Sequence, residues 1–315
     1  MTDQNKKLLE IYREDIAALF PAIPERANKG SMGRVLLVCG SYDGTGASMC
    51  GAAYFSAFAS YRCGAGIAEI FTHRKNYEAL ASLVPEAVFT LYDTAAETAD
   101  AICSRLADEI KKAKSVVLGC GLGKSALSRA IVKTTLEYVT VPLVIDADAL
   151  NIISEDASLW SLLSDEQKKR TVITPHMGEM SRLCGKEIKD ILASPVDTAV
   201  EYAKDHGVIC LLKDHRTVIT NGDTVFINHS GNAGMATGGT GDVLSGIIGA
   251  LLARDTVAKW ISEERGALPP ILYRAAAAAY LHGLAGDVAK EKYGEYSLTA
   301  SSVLDVLPET IVKNR

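Results

Sequence analysis

No stretch of this sequence is apolar for long enough to cross a bilayer. The longest apolar run near the C-terminus, Ala275 to Leu281, is far short of the roughly 20 residues a spanning helix needs. The N-terminus, Met1 to Glu10, is polar and has no hydrophobic signal segment, so a cytoplasmic location is expected. Positive charge is not in excess: the formal net charge is −5, which excludes the basic footprint of a nucleic-acid binder. No block of like charge, internal repeat or linker interrupts the chain. The seven cysteines include no C-x-x-C pair, and Cys39, Cys63 and Cys210 sit in apolar runs. That pattern excludes a disulfide framework or a zinc site and points to reduced, buried thiols.

What is present is a globular composition, 48% hydrophobic and 23% charged over 315 residues. Short apolar, β-branched runs alternate with helical patterns. Strands are expected at Val35–Cys39, Ile67–Phe71, Val116–Gly119, Leu143–Ile145, Thr171–Thr174 and Val208–Leu212. Their continuous apolar character suits strands buried on both faces of a parallel α/β sheet. Thr217–Thr220 and Thr224–Asn228, separated by Asn221-Gly-Asp223, read as a hairpin near a sheet edge. Helices are expected at Ala47–Cys63, Val243–Arg254 and Ile271–Lys290, with a loop at Gly266–Pro270 that is not a domain boundary.

The most informative stretch runs from Asn232 to Gly246. Gly238, Gly239 and Gly241 surround one acid, Asp242, and lead into an apolar helical pattern. Glycines allow close backbone approach, and a helix N-terminus offers free N–H groups and a positive dipole end. A carboxylate inside such an anion site would repel phosphate unless it moves a proton. A base beside an anion hole is what phosphoryl transfer to a hydroxyl requires. The competing structural reading of Asp242 is a helix N-cap.

Ligands of open α/β sheets lie beyond the carboxyl ends of the strands, and the other notable motifs fall there. Gly40-Ser-Tyr-Asp-Gly-Thr-Gly-Ala47 reads as a pocket wall or as a simple loop. Gly119-Cys-Gly-Leu-Gly123 is a glycine turn; its spacing fails the P-loop pattern. Asp146 and Asp148 either cap a helix or order a magnesium water shell. In Thr174-Pro-His-Met-Gly-Glu179, Pro175 holds Thr174 extended, and His176 suits a hydrogen-bonding role better than metal ligation. Lys213-Asp-His-Arg-Thr217 either meets nucleotide phosphates or forms a solvated turn. Arg274–Tyr280, rich in alanine, suits a close helix–helix or subunit contact, while His282 and Asp287 carry no assigned role.

Taken in order, Lys29–Val35, Gly40-Ser41, Gly46-Ala47, Arg62–Gly66, Gly119–Gly123, Asp146–Leu150, Thr174–Glu179 and Asn232–Asp242 resemble the NAD(P)H-hydrate dehydratases. The resemblance implies a ribokinase-like, three-layer α/β/α fold with a mostly parallel central sheet. It covers residues 29–315 as a single domain, preceded by a lead-in of residues 1–28. It further implies a metabolite-repair enzyme that returns the S form of hydrated NADH or NADPH to the normal cofactor, consuming ADP or ATP with Mg²⁺. The glycine loop resembles the bacterial and archaeal form, which implies ADP as donor. Asp242 would deprotonate the hydrate hydroxyl, with Gly239, Thr240 and Gly241 holding the phosphoryl charge. Ala47, Gly121, Gly123, His176 and Asp242 would touch the hydrated dinucleotide. Lys213, Asp214, His215, Arg216, Thr217 and Gly241 would hold the nucleotide. A homo-tetramer is implied, and the epimerase domain of longer bacterial relatives is expected to be absent.

Two residues depart from the family pattern: Asp214 stands where many relatives have Gly, and Thr237 where many have Lys. Either change bears on nucleotide contacts and leaves the base and anion hole intact. One rival reading is a hydroxyethylthiazole or hydroxymethylpyrimidine kinase, which would use the same base and keep its phosphorylated product. The other is a non-catalytic dinucleotide sensor, which has no use for a base in its phosphate loop.

Overall fold

A computed structural model describes residues 7–42, 44, 46–254 and 269–315. Among the described residues, ten strands form one sheet: β1 Lys7–Leu9, β2 Arg34–Val38, β3 Ile67–His73, β4 Val88–Tyr92, β5 Ser115–Leu118, β6 Leu143–Ile145, β7 Thr171–Ile173, β8 Ile209–Leu212, β9 Val218–Thr220 and β10 Thr224–Ile227. Their order across the sheet is β1-β10-β9-β8-β7-β6-β5-β2-β3-β4. Every pair is parallel except the two made by β9, the return strand of the hairpin.

The central strands are buried on both faces, and their alternate residues serve two cores. Val35 and Leu37 face one layer of helices, with Ala53, Ile247 and Ala276. Leu36 and Val38 face the other, with Leu106, Ile131 and Leu150. This is the expected α/β/α sandwich. The expected hairpin forms near the sheet edge, with β1 covering β10 as the edge strand.

Residues 7–19, within the segment expected to be a lead-in, belong to the sheet and core. Residues Lys7–Leu9 pair in parallel with β10, and the helix Arg13–Leu19 buries Ile16 and Leu19 completely. Tyr273 in the long helix Pro270–Tyr293 donates to Asp15 at 2.7 Å, which ties that helix down from the opposite end of the chain. The alanine run inside Pro270–Tyr293 is buried against its neighbours, so it serves a helix–helix contact within the chain. Most of the loop expected at Gly266–Pro270 lies outside the described residues, as do Asp43 and Thr45 of the Gly40–Ala47 loop.

The strand order reverses between β2 and β5, which opens a crevice beyond their carboxyl ends. Gly40 N–H donates to the Cys120 carbonyl at 2.8 Å there, joining the two glycine-bearing loops. Gly119 has φ +118°, and a Cβ on it would lie 2.1 Å from the Asp146 carbonyl oxygen. Only glycine lets the end of β5 pass this close to the end of β6.

Candidate active site

The helix Thr240–Ala253 begins at the centre of the site. Its N-cap is Gly239, at φ +92°, where a Cβ would strike the Phe55 ring at 2.6 Å. The cap role is therefore filled by backbone geometry, and Asp242 is the third helical residue. The first ladder bond runs from Val243 N–H to the Gly239 carbonyl at 3.0 Å. The N–H groups of Thr240, Gly241 and Asp242 precede it, at the positive end of a 14-residue helix. Thr240 Oγ1 donates to the carbonyls of Met235 and Thr237, both at 3.0 Å, and closes the glycine loop on itself. Asp287 supports the same loop from the long C-terminal helix, accepting from Gly231 N–H at 3.0 Å and Asn232 Nδ2 at 2.9 Å.

Asp242 is partly buried. Burial, with the Asp146 carboxylate close by, raises its pKa to about 6. A carboxylate with that proton affinity is a stronger base than an exposed one and is still ionised at neutral pH.

Beneath the loop lies a buried ion pair. Lys213 Nζ donates to Asp146 Oδ1 at 2.9 Å, and Ser245 Oγ donates to Asp146 Oδ2 at 2.7 Å. Asp146 also caps its own helix through Ala147 N–H at 2.9 Å, which favours the capping alternative for this residue. Ala147 has φ +50°, an unusual left-handed position for alanine, immediately beside this carboxylate. A Cβ at Gly241 would sit 3.4 Å from Lys213 Nζ, so the ammonium lies just under the anion hole. Burial disfavours the Lys213 charge, but Asp146 and Glu179 outweigh it and raise its pKa. Asp148 is committed elsewhere, accepting from Gly123 N–H at 2.8 Å. Among the described residues no cluster of three or more His, Cys, Asp or Glu could hold a metal ion.

His176 caps the helix Met177–Cys184, and Glu179 completes the capping box. Burial raises the Glu179 pKa to about 7. Lys213 N–H donates to the Pro175 carbonyl at 2.8 Å, which brings the two loops together.

These groups line one cavity of about 910 Å³. It contains Gly238–Asp242, Asp146, His176, Glu179 and all of Lys213–Thr217, so the glycine loop and the lysine loop meet in space. Arg216 pairs with His229, and Thr217 Oγ1 donates to the Asp214 carbonyl at 3.0 Å, so the lysine loop is an ordered turn. Ala47, Gly121 and Gly123 do not line this cavity. Gly121 backs onto Met49 and Ala52, Gly123 faces Ser41, and Ala47 is exposed; they flank the crevice between β2 and β5. Residues given no role in the sequence also line the cavity, among them Ala147, Asn228, Ser230 and His282. Burial lowers the His282 pKa to about 4, and its Nε2 has no hydrogen-bond partner. His282 and Asp287 carry no role in the sequence because their surroundings are set only once the helix Pro270–Tyr293 is docked.

With this geometry in place, similarity to known proteins decides the family. The family model described as NAD(P)H-hydrate dehydratase matches residues 35–309. The chain belongs to the NAD(P)H-hydrate dehydratase family.

Among its relatives, the bifunctional NAD(P)H-hydrate repair enzyme Nnr of Moorella thermoacetica is 36% identical over 89% of this chain and 49% of its own length. The ADP-dependent (S)-NAD(P)H-hydrate dehydratase of Neisseria meningitidis is 34% identical over 88% of this chain and 83% of its own length. The chain thus spans about half the length of the bifunctional relatives. A ribokinase-like superfamily protein from Enterococcus faecalis superposes with a TM-score of 0.79 at 28% identity, over 100% of this chain and 98% of that one. The fold is ribokinase-like. No described helix is long and apolar enough to cross a membrane.

Proposed function

We propose that this protein dehydrates the S form of hydrated NADH or NADPH, using ADP as phosphoryl donor. The observation that carries this reading is the position of Asp242. It is a carboxylate of raised proton affinity held within the first turn of a helix whose N-terminal residues Thr240, Gly241 and Asp242 line the cavity. Asp242 removes the proton from the hydrate hydroxyl. The oxygen attacks the terminal phosphorus, and the bond from that phosphorus to the bridging oxygen breaks to release AMP. The N–H groups of Gly239–Gly241 stabilise the charge on the phosphoryl group in flight. The C–O bond to the new phosphate then breaks, a proton leaves the neighbouring ring carbon, and the dihydropyridine is restored.

Lys213–Thr217 and Gly241 hold the nucleotide in this reading, and His176 and Asp242 contact the dinucleotide. The crevice flanked by Ala47, Gly121 and Gly123 accommodates the part of the dinucleotide that extends past the glycine loop. Magnesium arrives with the nucleotide phosphates in this reading. A cytoplasmic homo-tetramer completes the proposal, with light scattering as its check. The function itself is tested by incubating S-hydrated NADH with Mg²⁺ and either ADP or ATP and following the near-ultraviolet absorbance of the reduced ring. Recovery with ADP establishes the reading; no recovery with either nucleotide discards it in favour of a vitamin kinase.

A further inference from the structure

His176 caps its helix with its own ring. Nδ1 accepts from Gly178 N–H at 3.0 Å and from Glu179 N–H at 3.4 Å. Glu179 Oε2 accepts the His176 backbone N–H at 2.9 Å and locks the turn. A nitrogen that accepts two N–H groups carries its lone pair there, so the proton of the neutral ring resides on Nε2. Protonating Nδ1 would set a third N–H against two donors.

The surroundings keep the ring neutral. Burial lowers its pKa, and Lys213 at the end of β8 and Arg182 on its own helix act in the same direction. The N-terminal end of that helix adds to them. Asp146, at the end of β6, acts in the opposite direction. The Glu179 Oε1 atom lies 3.4 Å from Nε2, and its carboxyl is itself raised to about 7. The side chain is 55% exposed and lines the same cavity as Lys213, Gly241 and Asp242.

We propose that His176 is a tautomer-locked, uncharged hydrogen-bond donor whose Nε2–H is directed to an oxygen of the phosphoryl group in flight. This rests on the functional reading above. The ring cannot be the base, because its lone pair is spent on the helix cap; Asp242 keeps that role. A neutral donor adds stabilisation where Lys213 already supplies charge. A second cation there would lower the proton affinity that Asp242 needs. Neutral imidazole at a helix N-terminus has served as an electrophile in an unrelated isomerase, so the device has a physical precedent.

Two variants separate cap from donor. In His176→Asn the amide oxygen replaces Nδ1 and nothing replaces Nε2. In His176→Gln the amide nitrogen reaches the Nε2 position and the cap is weakened. The expected result is that Asn keeps the melting temperature and the ADP dissociation constant but loses about a hundredfold in kcat. Gln melts lower and recovers most of kcat. Nitrogen-15 NMR of the wild-type histidine at neutral pH shows Nδ1 without a proton and Nε2 with one. An Asn variant with full kcat, a folded Gln variant as slow as Asn, or the opposite tautomer overturns the proposal. Absence of wild-type turnover overturns the functional reading instead, while the NMR result still decides the tautomer.

Discussion

Lys213 and Asp146 meet at 2.9 Å across the ends of β8 and β6, 67 positions apart in the chain. Asp146 is 2% exposed and the Lys213 side chain 22%. Ser245, one turn beyond Asp242 on the same helix, anchors the other Asp146 oxygen. One carboxylate therefore connects the lysine loop, the Asp146 helix and the helix that carries the base.

Removing one partner of such a pair leaves a buried charge unmatched, whereas replacing both relieves it. Asp146→Asn is expected to destabilise the fold by about 3 kcal/mol. Adding Lys213→Met should recover part of that loss, so the two effects are not additive. A double-mutant cycle from urea unfolding measures the coupling; additive effects would show that the pair is not a unit.

The Asp242 pKa of about 6 sets the acidic limb of the pH profile. Turnover requires the ionised form, so kcat/KM should rise with pH and level off above roughly pH 6. Stability runs the other way. The folded pKa lies above the unfolded value of 3.8, so the folded state binds more protons between them. Stability from this group is complete below about pH 4 and falls as pH rises through 6. Asp242→Asn should therefore raise the melting temperature at pH 7 and leave it nearly unchanged at pH 3.5. An equal shift at both pH values would assign the effect to packing.

Gly239→Ala places a side chain at φ +92° and against the Phe55 ring. The left-handed backbone alone costs an L-residue about 1–2 kcal/mol, and the clash distorts the cap. The expected outcome is weakened ADP binding by calorimetry, with a larger loss in turnover. Unchanged ADP affinity would mean the loop does not hold the phosphates.

Much of the fold is legible in the sequence because the central strands are buried on both faces and read as unbroken apolar runs. Two strands escape such reading. β1 is three residues long in a polar context, and β4 is a half-exposed edge strand. Asp242 and its glycines are legible because their chemistry is local. The pairing of Lys213 with Asp146 is not, because it depends on two strand ends brought together by the sheet. Lys213, read from spacing as a phosphate ligand or a solvated turn, has a carboxylate partner already in place.

Because Ile16 and Leu19 are fully buried, a chain shortened to begin at Ser31 should lose stability. Burial of one such side chain contributes about 1.5–3 kcal/mol. A lower urea midpoint is expected; an unchanged midpoint would mean that these residues dock only weakly.

The central claim is that Asp242 is the base of a nucleotide-dependent dehydration. Its most direct test compares wild type with Asp242→Asn on S-hydrated NADH with Mg²⁺ and ADP, measuring dinucleotide binding and turnover on the same preparations. The account predicts that the variant binds the dinucleotide as the wild type does and turns over about 10²–10⁴-fold more slowly. A variant that remains active would contradict it.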